Sequence, residues 1–84
     1  MKRKLYFWNV QSEENFPMLV YDTEDLTEEE VGERARDNNI VSRCGNVSVR
    51  RLELNEVKMR SPYCYAYSLQ PQAERIDKLL KECD

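Results

Sequence analysis

Leu5-Tyr6-Phe7-Trp8-Asn9-Val10 is the most apolar stretch of the chain, and it is apolar at odd and even positions alike. A strand that buries one face alternates apolar with polar. A strand that is apolar on both faces is covered on both sides and lies inside its sheet. This stretch therefore predicts a central strand. Met18 to Tyr21 forms a second apolar run entered through Phe16-Pro17, and the polar Gln11 to Asn15 between the two fits a hairpin loop.

Outward from this pair, the sharpest local signal begins at Leu26. Thr27 followed three residues later by Glu30 is a capping box, in which the hydroxyl takes an N–H of the first turn and the carboxylate returns to the cap's own N–H. Leu26 and Val31 occupy the staple positions on either side. Glu28, Glu29 and Glu30 place negative charge at the positive end of the helix dipole. The helix is predicted to close at Asp37-Asn38-Asn39, because asparagine tolerates the left-handed conformation of a helix terminus. Its apolar face is thin, Val31 and Ala35. Gly32 either weakens the helix by about 1 kcal/mol relative to alanine or lets its backbone approach a sheet.

Ile40 to Cys44 and Val47 to Leu54 read as two strands around Cys44-Gly45-Asn46. The second has a phase problem: Val47 and Val49 have one parity, Leu52 and Leu54 the other, and a bulge at Arg50-Arg51 would bring all four to one core. In Asn55 to Arg60, Val57 and Met59 alternate with Lys58 and Arg60, a strand pattern. After Ser61-Pro62, Tyr63, Tyr65, Tyr67 and Leu69 share one face of a further strand. Pro71 suits the first turn of a closing helix, with Ala73, Ile76, Leu79, Leu80 and Cys83 as its stripe and Glu74 with Lys78 as an outer i,i+4 pair. The whole predicts an α+β fold, a small, mostly antiparallel sheet of four to five strands with two helices in the order ββαβββα. It is read as a single domain over residues 1–84, since 84 residues afford one thin core.

Composition excludes more than it assigns. There is no histidine, which removes Ser-His-Asp and Cys-His catalysis and imidazole metal sites. Gly32 and Gly45 are the two glycines and neither belongs to a phosphate loop. Cys44, Cys64 and Cys83 support neither a disulfide framework nor a Cys-x-x-Cys motif, and are read as buried, reduced cysteines of a cytoplasmic protein. Met1-Lys2-Arg3-Lys4 has the charge of a secretory leader. The apolar stretch behind it is too short and too aromatic for one, so it is read as a basic lead-in to the first strand. No run approaches the length of a membrane span. These features predict no enzyme, no cofactor and no membrane partner.

Charge is segregated along the chain. Residues 5–33 carry nine acids and no base, whereas residues 34–60 carry seven bases against three acids. The acidic positions Glu13, Glu14, Asp22, Glu24, Asp25, Glu28, Glu29 and Glu33 form the candidate binding set, with Glu30 committed to the cap. A row of carboxylates competes for the lysines and arginines with which another protein holds nucleic acid. Asp22, Glu24 and Asp25 also invite a Mg²⁺ or Ca²⁺ reading, but their spacing is not that of an EF-hand. The alternative surface is basic and aromatic: Arg50, Arg51, Lys58 and Arg60 with Tyr63, Tyr65 and Tyr67, the ingredients of a single-stranded nucleic-acid platform.

A short, histidine-free, charge-segregated chain of this kind resembles, in profile and without any motif, small inhibitory proteins such as those phages carry against host enzymes or CRISPR-type defence nucleases. The resemblance implies a non-enzymatic protein that docks on a larger, nucleic-acid-binding partner. A direct nucleic-acid-binding module is the alternative.

Overall fold

The computed structural model describes residues 4–13, 17–41, 45–60, 64–69 and 72–83. Along the chain run β1 (Tyr6–Ser12), β2 (Met18–Asp22), α1 (Glu28–Asp37), β3 (Val47–Leu52), α2 (Leu54–Lys58), β4 (Tyr65–Ser68), β5 (Ala73–Arg75) and α3 (Ile76–Glu82). The strands form one mixed sheet in the order β3-β1-β2-β4-β5. β1 pairs antiparallel with β2 and with β3, β4 pairs antiparallel with β5, and β2 and β4 run parallel. The architecture is α+β; among the described residues there are three helices rather than the two expected, in the order ββαβαββα.

β1 has a strand on each side, and its two parities feed two cores. Phe7 and Leu5 join Leu19, Tyr21, Leu52 and Ala66 on one face, closed by Val57 of α2 and by Ile76, Leu79 and Cys83 at α3. Trp8 and Val10 join Val20 on the other face, closed by Leu26, Val31 and Ala35 at α1 and by Ile40, Val41 and Leu69. Helices thus cover both faces of the sheet. Each fully buried large apolar side chain contributes roughly 1.5–3 kcal/mol, which explains how these short helices are held.

The two cores also dissolve the phase problem in β3. Its pairing with β1 runs unbroken from Phe7 opposite Leu52 to Ser12 opposite Val47, with no bulge at Arg50-Arg51. Val47 and Val49 pack towards α1 while Leu52 packs towards α2 and α3. Both parities are apolar because both faces are buried.

α1 begins as its sequence demands. Thr27 Oγ1 accepts from the Glu30 N–H, and Glu30 Oε1 accepts from the Thr27 N–H, each at 3.1 Å. It closes in a Schellman turn: the Ile40 N–H donates to Ala35 O at 2.9 Å and the Asn39 N–H to Arg36 O at 3.2 Å, with Asn39 at φ 58°. This closure uses Ile40 and Val41, so the strand expected from Ile40 does not form there. Residues 42–44 lie outside the described ones.

Two further elements differ from the expected ones. Asn55–Lys58 is helical, not extended. Leu54 and Val57 are three residues apart and turn together to one core, while Met59 is 86% exposed and not an inward position. Ala73–Arg75 pairs with β4, and the Ile76 N–H donates to Cys64 O at 2.9 Å, so α3 starts five residues after Pro71. Glu74 therefore stands in a strand and forms no helical pair with Lys78. From Ile76 onward the expected stripe of Ile76, Leu79 and Cys83 is buried.

Candidate functional site

The acidic residues do not form one continuous patch. Glu13 lies at the far end of β1, where its Oε1 accepts from Asn46 Nδ2 at 3.1 Å. Glu14 lies outside the described residues. Asp22 caps its own turn, its Oδ1 accepting from the Glu24 N–H at 2.9 Å. Glu24 faces Arg34 at 3.6 Å and Asp25 pairs with Arg51, so two members of the acidic segment are offset by members of the basic one. Glu30 is held by the cap. The Thr27 N–H, then the Thr27 hydroxyl and more weakly Arg34, keep its carboxyl below the ordinary glutamate value.

Glu28, Glu29 and Glu33 remain. They are exposed on α1 and make no ion pair among the described residues. With Gly32 and Arg36 they occupy one helical face, and that face and the side chains of Val47 and Val49 line an open groove of about 360 Å³. Helical spacing on 28–36 is the signal that joins Gly32 and Arg36 to the acids. The β3 valines carry no such signal, because their partner lies across the fold. Arg36, whose Nη2 donates to Gly45 O at 3.1 Å, brings one positive charge to the groove against the three carboxylates, so the groove stays acidic.

The basic and aromatic residues are dispersed. Arg50 points to the α2 side of the sheet and pairs with Glu56 at 3.1 Å. Arg51 points to the opposite side, over the rings of Tyr6 and Trp8. Lys58 and Arg60 are exposed at and beyond the end of α2. Tyr65, 55% exposed, and the half-buried Tyr67 share the α1 side with Val20 and Leu69. They lie on β4, three strand spacings or about 14 Å from β3. Tyr63 is outside the described residues. The fold does not assemble these side chains into one platform.

Asp22, Glu24 and Asp25 do not converge: among the described residues no group of three or more carboxylates or thiols could hold a metal ion. Cys83 is buried as expected, but Cys64 is exposed, because it precedes β4 at the sheet's margin. No helix among the described residues is long and apolar enough to cross a membrane. No family model matches the chain, and no curated protein or solved structure is similar to it.

Proposed function

We propose that this chain is a small, non-enzymatic binding protein of the cytoplasm that docks the acidic face of α1 on a basic site of a larger protein and obstructs it. The observation that carries this reading is the concentration of negative charge: Glu28, Glu29 and Glu33 lie together on one face and make no ion pair among the described residues, whereas Glu24 and Asp25 are offset by arginines. Such a face suits a surface built to neutralise phosphates, so the partner is a nucleic-acid-binding protein. In its most specific form the reading is a phage-encoded inhibitor of a host or CRISPR-type defence enzyme.

The test is capture of nucleic-acid-binding proteins from host lysate by the immobilised chain. Capture is expected at about 50 mM salt and largely lost by about 200 mM, with duplex DNA competing for the same partner. Capture indifferent to salt and to DNA would overturn the reading.

A further inference from the structure

Among the described residues, β3 is bonded to β1 on one side, and no backbone hydrogen bond reaches its other side. It is the longer edge of the sheet, six residues against three in β5. Edge strands are ordinarily guarded by shortness, a bulge, proline or projecting charge. β3 has an unbroken register and no proline, and Val47-Ser48-Val49 carries no charge. Arg50 and Arg51 put charge on the other end of the strand, one on each face, where they pair with Glu56 and with Asp25.

We propose that this edge is a strand-addition site for an extended, lysine- or arginine-rich segment of a partner protein, which pairs with β3 and sets alternate basic side chains against Glu28, Glu29 and Glu33. The inference rests on the acidic docking reading above and specifies what docks. The dimensions agree: side chains two apart on a strand are about 7 Å apart, and Glu29 and Glu33 are about 6 Å apart along the helix axis. The groove runs between these carboxylates and the β3 valines, so an added strand would be paired at its backbone and neutralised at its side chains. A second copy of this chain does not suit the site. Two-fold antiparallel pairing of β3 with itself sets both α1 helices on the same side of the joined sheet, bringing like charges together across the junction.

The probe is a synthetic peptide of alternating lysine and valine, titrated into the full ¹⁵N-labelled chain, beside the same peptide fully N-methylated on its backbone and one of alternating glutamate and valine. Expected are slowed amide exchange in Val47–Leu52 with the lysine peptide, affinity at least about tenfold weaker for the N-methylated peptide, and no binding of the glutamate peptide. E28Q/E29Q/E33Q should weaken the lysine peptide by a similar factor. Equal affinity for the N-methylated peptide, or unchanged exchange in β3, overturns strand addition and leaves acidic docking standing. Binding indifferent to the glutamine substitutions, or no binding, overturns both. Concentration-dependent dimers that protect β3 would assign the edge to self-association and overturn the proposal.

Discussion

Arg51 of β3 and Asp25 of the β2–α1 connection form an ion pair across 26 positions of sequence. The pair joins the acidic segment of the chain to the basic one, and it lies on the Tyr6 and Trp8 rings, with the guanidinium 4.7 Å and 5.3 Å from their centroids. It fastens the entry of α1 to the strand that α1 covers. Arg51 is in this way a part of the fold, whereas Arg50, one residue earlier, projects to the other face.

The two arginines should respond differently to truncation. Both ion pairs are largely solvated and contribute little by themselves, at most about 1 kcal/mol. Arg51 adds the ring contacts and its packed stem. R51A should lose about 1–2 kcal/mol in urea unfolding, R50A less than about 0.5, and R51K an intermediate amount because an ammonium does not stack as a guanidinium does. Equal losses at both positions would remove this structural role.

The two glycines should have opposite signs. A Cβ on Gly32 would meet Val49 Cγ2 at 3.5 Å, an ordinary contact, so G32A should raise stability by about 0.5–1 kcal/mol through helix propensity alone. Gly45 has φ +90° and a Cβ there would lie 3.3 Å from Glu13 Oε2, so G45A should cost about 1 kcal/mol or more. Thermal unfolding of both variants checks this pair of signs.

The α1 cap makes stability depend on acid. Glu30 has a lowered pKa in the folded chain, so its contribution is complete above the ordinary value near 4.5 and disappears as pH falls through the lowered one. Glu56 behaves likewise, held down by the Glu53 N–H and then by Arg50. T27A should cost about 1 kcal/mol at neutral pH and return the Glu30 titration part of the way towards 4.5, read by NMR of its side-chain carboxyl. The return is partial because the backbone N–H at position 27 survives the substitution.

The sequence made some of this legible and hid the rest for physical reasons. Leu26, Thr27, Glu30 and Val31 act within five residues of one another, and Asn39 acts through its own backbone conformation, so the cap, staple and closing turn of α1 could be read directly. The central place of β1 followed from its two apolar parities. Ala73–Arg75 could not be read, because its strand depends on β4 rather than on its own pattern, and α2 was masked by an accidental alternation ending at the exposed Met59. The two-sided burial that explains Val49 and Leu52 is likewise a property of the assembled sheet. Of the acidic candidates, the sequence showed their number. Which of them are left without an ion pair among the described residues was decided by Arg34, ten residues away from its partner Glu24, and by Arg51, 26 residues from Asp25.

The most direct measurement sets the α1 face against net charge. E28Q/E29Q/E33Q and the equally neutralised E13Q/D37N/E74Q are compared, after circular dichroism confirms folding, for binding to a basic nucleic-acid-binding protein captured by the native chain as salt is varied. The predicted result is that the first variant binds at least about tenfold more weakly at low salt with a flattened salt dependence, while the second binds nearly as the native chain does. Equal loss in both variants, or none in the first, would contradict the assignment of binding to Glu28, Glu29 and Glu33.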